Sequence, residues 1–229
     1  MNWDTSKFDQ TALSRRPELA THAEFDYRVE RSMSLAPQPV SNCPGVEFMR
    51  SRRTHRDFGP IDIAEIGRFL YLAMSATGHL DGAYGPVQLR PSISAGARHP
   101  IDILVVDPKA NLCAVYRPDR HTFDAIQSAP VDIQSLVQQT QKLVPWDQGV
   151  LIWLVGQPGR TMAKYEHAES FVYFDAGALA ATLSFMAHAL NLSYCPLGFS
   201  GEPAISRLLH SQGVAIGLLG GVLGTRSGK

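Results

Sequence analysis

Residues 171–190 are apolar on almost every side of a helix and rich in alanine. A helix without a polar face must be covered around its whole circumference, by the rest of the fold or by a second subunit. The polar residues Thr182 and Ser184 interrupt its longest apolar run, 176–187, which is shorter than the roughly 20 residues of a bilayer span. The segment therefore predicts a long buried helix in close contact with a neighbour, and no membrane span.

Other segments carry either a helical or an extended pattern. Apolar residues recur at intervals of three and four over 62–77, which predicts a helix with Asp62 as its N-cap. The continuous apolar run 150–155 is typical of a central strand buried on both faces. Because helices and strands do not alternate strictly, we predict an α+β fold rather than a doubly wound one. Further strands are predicted at 101–106, 112–116 and 215–223, and further helices at 131–142 and 202–210.

Two stretches lack these patterns. Residues 1–45 are polar and rich in proline toward their end, so we interpret them as an N-terminal arm with one helix near 22–33, followed by an extended connector. Residues 81–100 are rich in Gly, Pro and Ser and predict a loop of about 20 residues, a length that is usually functional or disordered. Residues 46–229 show no repeat and no internal boundary, and we treat them as one domain.

Composition excludes several classes of protein. Hydrophobic residues make up 45% of the 229 residues and charged ones 18%, which predicts a folded rather than a disordered chain. The 21 basic and 21 acidic residues cancel, so no overall field favours nucleic acid or an anionic membrane as a partner. Cys43, Cys113 and Cys195 are too widely spaced for a zinc ribbon or a disulfide framework, and no signal peptide is apparent. We therefore expect a soluble, cytoplasmic protein.

The first candidate functional segment is SRRTHRDF at 51–58, which combines Arg52, Arg53, Thr54 and Arg56 just before a helix. Guanidinium groups bind phosphate with two parallel hydrogen bonds, and a threonine hydroxyl adds another donor, so the segment could hold a phosphate monoester. The alternative is a solvated basic turn, which composition alone favours. The two common glycine-rich nucleotide-binding fingerprints are absent from the sequence.

The second candidate segment is the loop RPSISAGARHP at 90–100. Small residues let a backbone approach a flat ligand closely, and hydroxyl and N–H groups can donate to it, although the bare pattern indicates only a loop.

The third candidate segment is KYEH at 164–167, between a predicted strand and the long apolar helix. A lysine in an apolar pocket can lose its proton near neutral pH and act as a base, with a tyrosine hydroxyl as its partner. The alternative is a surface loop. Glu166, His167 and His188 lack the spacing of a compact metal motif, so we predict no metal site.

Taken together and in this order, the three segments resemble the FMN-dependent nitroreductase superfamily and, within it, the SagB-type azoline dehydrogenases. The resemblance covers roughly residues 46–226 and includes YCPLGF at 194–199 and LGTR at 223–226, which are similar to the segment at the flavin ring and to the family's chain end. Ala168 stands where the subfamily usually has an arginine, a departure that concerns substrate placement.

The resemblance implies a nitroreductase-like α+β fold, with a central mixed, mostly antiparallel sheet flanked by helices, in a homodimer with FMN at the subunit interface. It implies that Arg52, Thr54 and Arg56 converge with the 90–98 stretch to hold the cofactor. It also implies that Gly198 offers its N–H to the flavin ring. The implied FMN-binding residues are Arg52, Arg53, Thr54, Arg56, Pro91, Ser92, Ile93, Ser94, Arg98, Leu197, Gly198 and Arg226.

By the same resemblance, Lys164 and Tyr165 are the catalytic pair of an azoline oxidation, as base and proton relay in either order. The implied reaction converts an azoline-type or related peptide-derived ring to its aromatic azole by hydride transfer to flavin, alongside partner enzymes of a biosynthetic pathway. Three alternatives stay open: an NAD(P)H-dependent reductase of nitroaromatics or quinones, a flavin-binding protein without turnover, and a protein without flavin.

Overall fold

The structure, a computed structural model, describes residues 30, 31, 33, 34, 43–82, 85–210 and 215–227. Its helices are α1 (Pro44–Ser51), α2 (Ile63–Met74), α3 (Pro130–Leu143), α4 (Pro158–Met162), α5 (Glu169–Ala189) and α6 (Ala204–Leu209), with a short 3-10 turn at Ala95–Ala97. Its strands are β1 (Gly78–Gly82), β2 (Gly85–Leu89), β3 (Ile101–Asp107), β4 (Leu112–Arg117), β5 (Thr122–Ala125), β6 (Val150–Gly156), β7 (Leu192–Leu197) and β8 (Ile216–Thr225).

Six of the strands form one sheet in the order β5-β4-β3-β6-β8-β7, and β1 and β2 form a separate hairpin. The predicted α+β architecture, a sheet flanked by helices, is confirmed. Neighbouring strands run antiparallel in every pair that the structure describes, so the sheet is more regular than the mixed one expected.

Strand β6 lies in the middle of the sheet and all of its residues are buried. On one face Ile152 and Leu154 belong to the core that includes α2 and α5, and on the other face Leu151 and Trp153 belong to the core that includes α3 and α6. The prediction of a strand covered on both sides is therefore confirmed. The continuous apolar pattern arises because helices cover both faces of an antiparallel sheet.

Helix α5 packs against the sheet and α2 through one face only. Its buried residues recur at helical spacing and include Val172, Leu179 and Leu183. The opposite face is exposed in the single chain and carries Phe174, which is 67% exposed. The predicted long helix is confirmed, but its predicted burial holds for one side. By length and composition α5 would suffice to cross a membrane, but its buried face is that of a core helix.

The sequence predicts a loop at 81–100 and a helix near 22–33, and the structure tests the first of these predictions. The predicted loop 81–100 is wrong in its first part, because β1 and β2 pair there from Gly78↔Leu89 to Gly82↔Gly85. Most residues of this hairpin are exposed, so no buried apolar face marks it in the sequence. The predicted helix near 22–33 lies almost entirely outside the described residues.

Candidate active site

A basic cluster forms where the loop between α1 and α2 meets the end of β8. The Gly59 N–H donates to the Thr225 carbonyl at 2.8 Å, and the Thr225 hydroxyl donates to the Pro60 carbonyl at 2.9 Å. A side chain at Gly224 would collide with the Gly59 carbonyl, so glycine allows this close approach. These contacts place Arg226 beside the predicted phosphate-binding loop.

His188, near the C-terminal end of α5, lies within this cluster. Its Nε2 lies 3.0 Å from the Ser51 hydroxyl, and its ring packs on Phe48 with centroids 5.0 Å apart. Burial lowers the pKa of His188, and the nearby charges of Arg226, His55, Arg52 and Arg53 lower it further. The imidazole is therefore neutral at neutral pH, in surroundings that are otherwise strongly positive.

Arg226 carries two buried nitrogens, Nε and Nη2, with no hydrogen-bond partner among the described residues. Such groups are costly to bury unless an acceptor reaches them. Close by, Arg52 Nη1 lies 3.4 Å from the Thr54 hydroxyl. The residues around Arg226 therefore fit an anionic group such as the phosphate of FMN.

Two other arginines of the same loop have local roles. Arg53 Nη1 donates to the carbonyls of Arg50 and Arg52 at 2.8 and 2.9 Å, so it caps the C-terminal end of α1. Arg56 reaches the Cys195 thiol of β7; burial raises the pKa of that thiol and the arginine opposes the rise. Leu197 and Gly198 follow at the end of β7, farther from Arg226, because Leu192 is the β7 residue paired with Thr225.

The second group of predicted residues lies at the N-terminal end of α5. Asp175 is only 6% exposed and accepts two hydrogen bonds from the 90–100 loop, from the Ser94 hydroxyl at 2.6 Å and from the Ala95 N–H at 3.1 Å. The Ser94 hydroxyl in turn accepts from the His99 N–H at 2.8 Å. The Asp175 carboxylate therefore fixes the conformation of the loop.

Lys164 and Tyr165, which follow α4, lie against this loop at Gly96. A Cβ atom at Gly96 would collide with Lys164 Nζ and with the Tyr165 hydroxyl, and Gly96 has a φ of +59°. Lys164 Nζ lies 5.1 Å from the centroid of the Tyr165 ring. The structure thus brings together the predicted catalytic pair and the predicted flavin-binding loop.

An apolar groove of about 300 Å³ adjoins this pair, lined by Ile93, Phe171, Phe174 and Asp175 among others. The Tyr165 ring packs edge-on against Phe171 with centroids 5.5 Å apart. Ile93 is 80% exposed, which is unusual for so apolar a side chain.

The other predicted FMN-binding residues of the 90–100 loop differ in their exposure and contacts. Pro91 is exposed, Ser92 is buried, and Arg98 Nε donates to the Arg160 carbonyl of α4 at 3.1 Å. That these three residues contact FMN stays a prediction.

The structure does not bring the two groups together within one chain. Asp175 and His188 are 13 positions apart on α5, so the loop and the basic cluster are separated by about 20 Å along the helix. One subunit therefore offers the two halves of the expected site at opposite ends of α5.

A family model for the nitroreductase family matches residues 49–222, which is most of the chain. The chain belongs to the nitroreductase family. Members of this family are oxidoreductases and generally depend on FMN. No curated protein sequence matches the chain.

Solved structures of family members share this fold. A protein assigned as a nitroreductase from Ralstonia eutropha JMP134 has a TM-score of 0.65 at 18% identity, with 85% of this chain and 89% of that chain covered. A chain of the Escherichia coli microcin synthetase McbBCD complex has a TM-score of 0.60 at 15% identity, with 98% and 82% covered. An FMN-dependent nitroreductase from Clostridium difficile R20291 has a TM-score of 0.50 at 12% identity, with 80% and 87% covered. At these identities the likeness shows the fold alone.

Asp175 and His188 are site residues that sequence reasoning missed. Both stand in the largely apolar segment 171–190, where the other polar side chains are the hydroxyls of Tyr173, Thr182 and Ser184. A polar residue in a buried helix requires a partner, so their position in this segment was the signal that could have found them.

Proposed function

We propose that this nitroreductase-family oxidoreductase binds FMN and dehydrogenates an azoline-type or related peptide-derived ring to its aromatic azole. The observation that carries the proposal is the position of Lys164 and Tyr165 against Gly96, on a loop that Asp175 holds in place. In a reductase of nitroaromatics or quinones, a lysine and a tyrosine at this position would have no special role.

In the proposed complex the basic cluster holds the FMN phosphate. Arg226 supplies two unpartnered nitrogens, and Arg52 and Thr54 supply further donors nearby. The flavin ring would lie between Gly198 and the 91–94 stretch of a second subunit, since one chain holds the basic cluster and the loop at opposite ends of α5.

The proposed dimer is supported by the exposed face of α5. Along this face Phe174, Gly177 and Ala181 are exposed at helical spacing, and nothing lies within 4 Å of a Cβ placed at Gly177. Small residues on such a face permit close packing of a second subunit. Light scattering of the flavin-loaded protein is expected to show a dimer, and a stable monomer that retains flavin would contradict this arrangement.

Oxidation of an azoline ring removes one proton and one hydride from the substrate. FMN, when bound, supplies the hydride acceptor. Lys164 in its neutral form would take the ring proton, and the Tyr165 hydroxyl would orient the substrate or relay the proton, with the two roles exchangeable. The groove beside Ile93 and Phe171 offers an apolar surface on which a flat heterocycle can lie.

The proposed substrate class is compatible with one solved structure of this fold. One solved structure that shares the fold is a chain of a microcin synthetase complex bound to a truncated pro-microcin. A peptide-derived substrate and partner enzymes are therefore compatible with this architecture.

The visible spectrum of freshly purified protein tests the proposal. We expect flavin absorbance that bleaches in a single anaerobic turnover with a synthetic thiazoline peptide. Bleaching by NADPH alone, with no response to the peptide, would favour a nitro or quinone reductase. Flavin reduced by neither would favour a binding protein, and colourless protein that does not take up FMN would overturn the proposal.

The variant Arg226→Gln tests the phosphate site. Loss of a charge-assisted contact to an anion costs about 1.5–3 kcal/mol, so we expect the Kd for FMN to rise roughly tenfold to hundredfold. Quenching of FMN fluorescence on binding measures this Kd. Lys142→Gln, at an exposed position of α3, removes one charge elsewhere and serves as the matched control. An equal Kd in both variants would place the phosphate somewhere else.

A further inference from the structure

A polar cleft of about 370 Å³ lies beside the Ala95–Ala97 turn, between β2, the start of β3, the turn after β4, and α4. Four arginines line it: Arg90, Arg98, Arg117 and Arg160. Neither the Arg226 cluster nor the groove at Ile93 includes these side chains. The cleft therefore lies apart from the Arg226 cluster and from the groove, and of the predicted FMN-binding residues it shares Arg98 alone.

Two of the four arginines are paired with carboxylates. Arg160 contacts both carboxylate oxygens of Asp102, at 2.8 and 3.1 Å, and Arg117 donates to Asp124 at 2.7 Å. Their charges are thus already balanced by partners of the same fold.

The other two arginines have only neutral partners. Arg90 donates through Nε and Nη2 to the side-chain oxygen of Gln88, at 3.2 and 2.7 Å, and Arg98 donates through Nε to the carbonyl of Arg160. Neither forms an ion pair with a carboxylate of the described part of the chain. Arg90 and Arg98 therefore line the cleft without a paired carboxylate in the described part of the chain, although the charges of Asp102 and Asp119 are close enough to act on Arg90.

The charges of Arg90 and Arg160 repel each other in the cleft. Burial lowers the pKa of Arg90, and the charge of Arg160 lowers it further, against the opposing effects of Asp102 and Asp119. Burial also lowers the pKa of His99 in the cleft wall, so this histidine is neutral at neutral pH. An anion placed here would relieve the repulsion between Arg90 and Arg160.

We propose that this cleft binds a small molecule through its phosphate or carboxylate group, with Arg90 and Arg98 as the anion-binding residues. Guanidinium groups match the planar oxygen pairs of both anions. A volume of about 370 Å³ lies within the usual range of small-molecule sites. The site needs no flavin, so the proposal does not rest on the proposed reaction.

Isothermal titration of the full chain tests the site, after the protein has been loaded with FMN to fill the Arg226 cluster and unbound FMN has been removed by desalting. Pyrophosphate and citrate are titrated separately at constant ionic strength, with sodium chloride as the monovalent reference. We expect saturable binding that Arg90→Gln weakens roughly tenfold to hundredfold and that Lys142→Gln leaves unchanged. Tighter binding of pyrophosphate identifies a phosphate-bearing ligand, and tighter binding of citrate identifies a carboxylic acid.

Binding no stronger than that of chloride, or binding that Arg90→Gln leaves intact, overturns the proposal. The second outcome is also the one expected if the anions bind at the Arg226 cluster, because the change at Arg90 would not alter their affinity there. Arg98→Gln is the second variant if Arg90→Gln does not fold, and circular dichroism verifies the fold of each.

Discussion

Replacing Lys164 by alanine is expected to lower the rate of thiazoline oxidation by roughly 10²–10⁴-fold, the usual contribution of a general acid or base. The same change should leave NADPH-dependent reduction of a quinone largely unaffected, because that reaction takes no proton from a substrate ring. The measurement is a comparison of kcat for the two reactions in one preparation, with flavin content matched between wild type and variant.

The conservative variant Lys164→Arg separates a base from a positive charge. A guanidinium keeps its proton at any pH that the protein tolerates, so it cannot accept one from the substrate. If Lys164 is the base, Lys164→Arg is as slow as Lys164→Ala. Recovery of activity in Lys164→Arg would assign the lysine an electrostatic role, and Tyr165→Phe would then test the tyrosine as the base.

Most of the fold was predictable because its elements carry local signals. The helix at 62–77 has regular apolar spacing, and Asp62 accepts a hydrogen bond from the Glu65 N–H at 2.7 Å, as an N-cap should. The central strand at 150–155 shows an unbroken apolar run because both of its faces are covered. Strand β5 and hairpin β1–β2 carry no such signal, since they are short and partly exposed.

The candidate site was predictable in its parts and not in its assembly. The three segments at 51–58, 90–100 and 164–167 contain the side chains that the structure places in the two halves. Which of these segments lie together at one end of α5 depends on packing between residues far apart in sequence, such as the contact between Ser94 and Asp175. Local patterns contain no information on such distances, so the separation of about 20 Å was not foreseen.

Because Asp175 controls the loop at Gly96, Asp175→Asn is expected to reduce thiazoline oxidation about 10²-fold, the cost of a misplacement of roughly 1 Å at a reacting centre. The carboxylate accepts from both the Ser94 hydroxyl and the Ala95 N–H. An asparagine offers one acceptor oxygen and turns an NH₂ group toward the other donor. Even where the NH₂ group donates to the Ser94 oxygen, the charge-assisted bond from the Ser94 hydroxyl to the carboxylate is lost, with an expected cost of about 1–3 kcal/mol in the free energy of unfolding.

Ser94→Ala is the matched variant, since it removes one of the two contacts from the loop side and leaves the carboxylate in place. If Asp175 acts through the loop, the double variant Asp175→Asn with Ser94→Ala loses less activity than the sum of the two single effects, because both changes break the same contact. Urea unfolding of each variant separates the loss of stability from the loss of rate. Full additivity in kcat, or wild-type kcat in Asp175→Asn, would show that the carboxylate stabilises the helix and the loop without positioning Lys164 and Tyr165.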